Sequence, residues 1–159
     1  MNLKNTAKLI SSVAVCQAAG IVGSVFTAPA ITTWYAQLIK PEFNPPSWLF
    51  APVWIILYTL MGVSLYLILK EDISDKKIRF AVSIFAVQLT LNATWSFLFF
   101  GLKNLFLAFL EILILWAAVI ITIRSFYSIS KNAGLLLLPY ILWVSFAAVL
   151  NFSIWVLNM

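Results

Sequence analysis

The sequence predicts an all-α membrane protein, a single domain over residues 1–159 built as a bundle of five transmembrane helices. Three observations carry that class. Of the 159 residues, 64% are hydrophobic and only 9% charged, against roughly a quarter charged in soluble domains. The charges gather in short stretches. Segments 9–28, 48–69, 80–102 and 133–157 contain no Asp, Glu, Lys or Arg, and 104–123 contains only Glu111. Each run reaches the roughly 20 residues that cross a hydrocarbon core of about 30 Å. Within lipid the backbone must satisfy its own hydrogen bonds, so these runs are helices.

The first run follows Lys4 and Lys8 and ends near Ala28 and Ala30, the layout of a signal peptide. Its apolar core is long for that role, and Ala19, Gly20 and Gly23 suit close helix packing. It is read here as the first span. Segment 29–47 is then a long loop, and long loops in compact domains are functional or disordered. Pro41, Pro45 and Pro46 each fix φ and stiffen it. Trp34, Tyr35, Phe43 and Trp48 give it apolar bodies, which predicts a lid. A helical turn or two over 34–39 precedes Pro41. The 70–79 connection reads as a solvated polar turn, and the corner at 101–103 is minimal.

Basic residues set orientation. The N-terminus, the 70–79 loop and the 124–133 loop hold Lys4, Lys8, Lys70, Lys76, Lys77, Arg79, Arg124 and Lys131, whereas the opposite side holds Lys40 and Lys103. The positive-inside rule places the N-terminus in the cytoplasm, in a prokaryotic plasma membrane. The mitochondrial outer membrane is the alternative. The net charge of +5 is thus a topology signal directed at anionic headgroups of the bilayer, with no nucleic-acid role. With Cys16 the only cysteine and no histidine, an internal disulfide, His-ligated haem, and His-based metal or acid–base chemistry are excluded.

Polar and large aromatic groups within spans face the bundle interior. On the third span Gln88, Asn92, Trp95 and Phe99 fall at i, i+4, i+7 and i+11, one continuous face. Ala86, Thr90 and Ala93 lie opposite, a small-residue face suited to a helix–helix or homodimer contact. The second span sets Trp54 and Tyr58 at i, i+4, and the fifth aligns Trp143, Ala147 and Leu150. Three helices each offering a Trp beside a smaller or polar group predict an aromatic cavity for a flat, apolar ligand, with Asn92 and Gln88 to orient it. Trp34, Trp48 and Trp155, near span ends, read as interfacial anchors. Glu111, the one carboxylate inside a span, has a functional reading and structural ones: pairing with Lys103, a hydrogen bond to a neighbouring helix, or a protonated carboxyl. Asn151 reads as an interhelical hydrogen bond.

At these residues the chain resembles the TspO/MBR family, the tryptophan-rich sensory proteins that include the mitochondrial translocator protein. The resemblance starts at Trp34-Tyr35, Leu38, Lys40-Pro41 and Pro45-Pro46. It continues through Pro52, Trp54, Tyr58, Met61-Gly62, Gln88, Asn92, Trp95 and Phe99-Phe100-Gly101. It closes at Pro139-Tyr140, Trp143, Phe146-Ala147, Leu150-Asn151 and Trp155. It implies a dimeric five-helix bundle whose cavity, closed by the first loop, takes porphyrins such as protoporphyrin IX, sterols or benzodiazepine-type ligands. The implied pocket positions are Tyr35, Pro45, Trp54, Tyr58, Asn92, Trp95, Trp143 and Ala147. It further implies light- and oxygen-dependent porphyrin breakdown in some members, with Trp54 and Trp143 at the positions concerned.

Two departures stand out. Phe43 occupies a position usually held by Trp. At the proposed cholesterol motif Phe152 replaces the Tyr and no basic residue follows, which weighs against specific sterol recognition. The expectation is a membrane receptor, sensor or carrier for tetrapyrroles, protoporphyrin IX or haem being a ligand and no cofactor or metal being required. No general acid–base pair or nucleophile constellation is present, so binding is favoured over turnover. A porphyrin-degrading enzyme and a structural or assembly subunit are the competing readings.

Overall fold

The computed structural model describes residues 3–159. Its helices are α1 (Leu3–Ile31), α2 (Trp34–Gln37), α3 (Ser47–Leu69), α4 (Lys76–Ser96, continued by a π-helical turn Phe97–Gly101), α5 (Leu105–Ile129), α6 (Lys131–Leu135) and α7 (Leu138–Leu157). Five of these segments are long and apolar enough to cross a membrane, α6 and α7 forming one of them. The class expected from the sequence is the class observed, with no strand among the described residues.

Helix ends follow local chemistry. The Asp75 side chain accepts from Lys77 N and starts α4, and Asn104 accepts from Leu107 N to start α5, each supplying an acceptor to an N–H that lacks an intrahelical partner. The corner between them turns on Lys103, at φ 53°. Several helices outrun the uncharged segments. α1 begins ahead of Lys4 and Lys8, and Lys8 Nζ donates to Leu69 O at the end of α3, 2.9 Å away. A long aliphatic stem lets such a charge reach past an apolar helix end.

Around the bundle α1 packs between α3 and α4, α5 packs between α4 and α7, and the edges of α3 and α7 meet. The helices therefore form a ring. At one end it is tight. Gly62 sits directly against the Val13 backbone, and a Cβ there would lie 2.5 Å from Val13 Cα. Cys16, Met61, Ile68, Phe85, Phe126 and Val144 fill this half. At the other end Tyr35, Phe99, Leu150 and Ile154 build a second, smaller core beneath the first loop, and the space between the two cores is a cavity.

Candidate functional site

The cavity has a volume of about 410 Å³ and is bounded by α1, α3, α4, α5 and α7, with Tyr35 of α2 contributing from the loop. Its size falls in the range of small-molecule sites, which are apolar with a few polar groups to fix orientation. Trp54 stacks on Tyr58, with ring centroids 5.3 Å apart, and meets Tyr140 edge-on. Trp95 stacks on Phe99 at 5.0 Å. Trp143 packs against Phe50 and Phe146. The π-helical turn widens α4 by one residue where Phe99 and Phe100 enter the wall, an irregularity often found at functional sites.

One wall is polar and directional. The Tyr58 hydroxyl donates to Asn92 Oδ1. Asn92 Nδ2 donates to Tyr140 Oη at 3.0 Å, and Tyr140 Oη donates to Gln88 Oε1 at 3.0 Å. A second polar pair lies nearer the loop, where Trp95 Nε1 donates to Asn151 Oδ1 at 3.1 Å while Asn151 Nδ2 holds Leu105 O at 3.0 Å. Asn151 is thus the interhelical bridge expected of it, and it also lines the cavity.

The first loop covers one end. Its expected helical turn is present as α2. The Tyr35 hydroxyl donates to Asn44 Oδ1 at 2.7 Å, and Asn44 Nδ2 donates to Pro45 O at 3.0 Å. Lys40 Nζ lies 4.8 Å over the Tyr35 ring. Burial pushes the Tyr35 hydroxyl up to about 12. Asn158, at the end of α7, clamps the loop by accepting from Ile39 N at 3.0 Å and donating to Ile39 O at 2.8 Å. These bonds tie the loop down across the mouth.

The cavity has a second opening. Its exposed lining residues are Ile21, Ser24 and Ala28 of α1 with Ser47, Ala51 and Ile55 of α3. The cavity is therefore open between α1 and α3 toward the loop end. Gln17 forms the sill of this opening, Nε2 donating to Ile55 O and Thr59 Oγ1, both at 3.0 Å.

Of the residues singled out in the sequence, Tyr35, Trp54, Tyr58, Asn92, Trp95, Trp143, Ala147 and Leu150 line the cavity. Pro45 and Gln88 do not. Pro45 contributes its carbonyl to the loop's internal clamp, and Gln88 lies behind Tyr140, fully buried. Of the alternatives for Glu111, neither the pairing with Lys103 nor a hydrogen bond to a neighbouring helix is made. Both its carboxyl oxygens are buried without a hydrogen-bond partner, and Lys103 is exposed. The α1 wall of Gln17, Gly20, Gly23, Ser24 and Thr27 is absent from the sequence reading. A stripe of small and polar residues at helical spacing was its only signal. Trp48 is 71% exposed, as an interfacial anchor requires, and Trp155 packs on Phe106 and Phe109.

With this geometry in place, comparison with known proteins is direct. The model of the TspO/MBR family matches residues 12–156. The chain is 46% identical over 155 residues to the tryptophan-rich protein TspO of Archaeoglobus fulgidus, covering 97% of this chain and 99% of that protein. It is 41% identical to the protein of the same name from Chlorobaculum tepidum, covering 98% of each. It is 36% identical over 136 residues to the human translocator protein, covering 84% of this chain and 80% of the human one.

Proposed function

The chain belongs to the TspO/MBR family, an integral membrane protein by that membership and its five apolar spans, and on that premise we propose a membrane receptor or sensor. Its ligand is flat and hydrophobic, of the tetrapyrrole class, and protoporphyrin IX is the compound to test. The observation that carries this reading is the cavity itself, where Trp54, Trp95 and Trp143 from three helices line one space beside the polar Tyr58–Asn92 pair. Aromatic walls give a flat ligand stacking partners, and Asn92 and Tyr58 orient its polar edge. The opening between α1 and α3 admits a ligand dissolved in the bilayer, and the first loop retains it. The N-terminus faces the cytoplasm, and the protein works as a homodimer through the face of α4 that carries Ala86, Thr90 and Ala93, of which Ala93 is half-buried.

Titrating purified protein with protoporphyrin IX while following tryptophan fluorescence tests the reading. Saturable quenching at one site per chain, shifted to higher concentration in Trp143→Ala, is expected. Quenching that rises linearly, or is unchanged in that variant, refutes it. Because Trp54 and Trp143 both face the cavity, photo-oxidative breakdown of the bound porphyrin is the second reading. Product formed in the dark would mark an enzyme, and product formed only in light a bound photosensitiser.

A further inference from the structure

Behind the cavity, on the packed helices α4, α5 and α7, lie polar residues that do not line it. Gln88 and Glu111 are only 1% and 8% exposed, and neither lines the cavity. Gln88 Nε2 and the two Glu111 carboxyl oxygens have no hydrogen-bond partner, and no other buried side-chain polar atom among the described residues is left so. Buried polar groups are paired in the great majority of cases, so three orphans on two residues require an explanation.

Tyr140 connects the two residues. Its hydroxyl donates to Gln88 Oε1, and Glu111 lies within electrostatic reach of it. Glu111 occupies the buried stripe of α5 with Ala108, Ile112 and Leu115, and α5 packs on both α4 and α7. The chemistry is complementary, since an amide nitrogen only donates and a carboxylate only accepts. The two are not hydrogen-bonded to one another. A bridging water that accepted from Gln88 Nε2 and donated to Glu111 would satisfy both.

Among the described residues no cation pairs with Glu111. Besides Glu111, the titratable groups within electrostatic reach of Tyr140 are Tyr58 from α3 and Cys16 from α1, while α4 presents Gln88. Lys103 at the corner, Arg124 on α5 and Lys131 on α6 are exposed. A lone carboxylate at membrane depth is expensive, and a proton relieves that cost.

We propose that Glu111, Gln88 and Tyr140 form a proton-binding site behind the cavity, holding one water, and that the Tyr58–Asn92–Tyr140 chain couples its proton occupancy to the polar edge of a cavity ligand. When the proton leaves to bulk water, the new carboxylate charge is met by the bound water's O–H, while that water accepts from Gln88 Nε2. The chain ends at the cavity on Tyr58 and Asn92, so a ligand that draws on either redirects its hydrogen bonds. The ligand half of the coupling rests on the function proposed above, whereas the site itself does not.

Infrared difference spectroscopy of the full chain in lipid vesicles tests both parts. Stepping the pH of ligand-free protein should reveal a protonated-carboxyl band that disappears on deprotonation and is absent in Glu111→Gln. Gln88→Leu removes the donor side of the water bridge, so Glu111 should release its proton at a pH higher by about one unit, a tenfold change in proton affinity. Asn92→Leu, which cuts the chain on the cavity side, should also displace the titration. Adding protoporphyrin IX should shift the band in wild type but not in Tyr140→Phe. A band that survives Glu111→Gln, or no band at any pH, overturns the site. A titration unmoved by Asn92→Leu overturns the coupling without reference to any ligand. Should tryptophan fluorescence show that protoporphyrin IX does not bind, the proposed function fails, while the ligand-free titrations still decide the proton site.

Discussion

Gly62→Ala should be among the most damaging one-carbon changes in the bundle, because the clash it creates is with backbone. The new Cβ would lie 2.5 Å from Val13 Cα and 2.9 Å from Val13 N. Non-bonded carbons settle at about 3.5–4.0 Å, so α1 would have to retreat by roughly 1 Å. It is not free to do so. On one side of Val13, Lys8 is bonded to Leu69 O, and on the other Gln17 bridges Ile55 and Thr59. Overpacking of this kind costs about 1–3 kcal/mol, against a helix-propensity gain of up to about 1 kcal/mol for Ala over Gly.

Gly23→Ala is the control. It carries the same gain, but its Cβ meets only the Ser96 side chain, with Oγ at 3.0 Å and Cβ at 3.3 Å, so the hydroxyl can rotate away and only a few tenths of an ångström remain to be yielded. The difference between the two variants therefore isolates the backbone clash and should be about 1–3 kcal/mol. Reversible unfolding in mixed micelles, followed by helical circular dichroism, measures it. Stabilities within about 0.5 kcal/mol of each other would show that α1 and α3 do not meet at Val13 and Gly62.

Gly20→Ala drives a Cβ to 2.4 Å from Tyr58 Cε2, a ring held by Asn92 and stacked on Trp54, so calorimetric titration should show weakened porphyrin binding as well as lower stability. Trp143→Ala should cost roughly 1–3 kcal/mol of ligand affinity, and Ala147→Leu should weaken binding by filling space with the fold intact; titrations within twofold of wild type for both would place the site elsewhere. Ala86→Leu bulks out an exposed small-residue face of α4 and should shift cross-linking in detergent toward monomer while binding survives. Tyr35 is held in its neutral form by burial, with its titration raised to about 12 from an ordinary value of about 10. The lid's grip should therefore be full below about pH 10 and lost as pH rises toward 12, since the released loop gives up the phenolic proton first. Ligand release measured against pH should show that loss, and Tyr35→Phe should abolish it.

Helical periodicity gave the direction of each side chain but not its depth, and that distinction separates what the sequence revealed from what it did not. Gln88, Asn92, Trp95 and Phe99 share one face of α4 and all point inward, Trp95 being only partly buried. One turn of helix is about 5.4 Å, enough to put Asn92 on the cavity wall and Gln88 behind Tyr140. The α1 wall was hidden for another reason. Gln17, Gly20, Ser24 and Thr27 carry no aromatic ring, and a small residue defines a cavity by the volume it leaves empty, which only the opposing helices can reveal.

Glu111 shows where one-dimensional reasoning about charge stops. Lys103 is eight residues away, close enough in sequence to look like a partner, but the chain turns a corner between them at φ 53° and leaves the lysine in the exposed rim. Ahead of Glu111, α5 runs from Leu105 with Glu111 on the stripe that packs inward with Ala108, Ile112 and Leu115. The cation stays outside because its hydration is worth more than a buried pair. The carboxyl is carried inside by the register of the apolar residues around it. That register buries it on the side of α5 that packs inward, with both oxygens unpartnered, and a carboxyl so placed can hold a proton where it cannot hold a counter-ion.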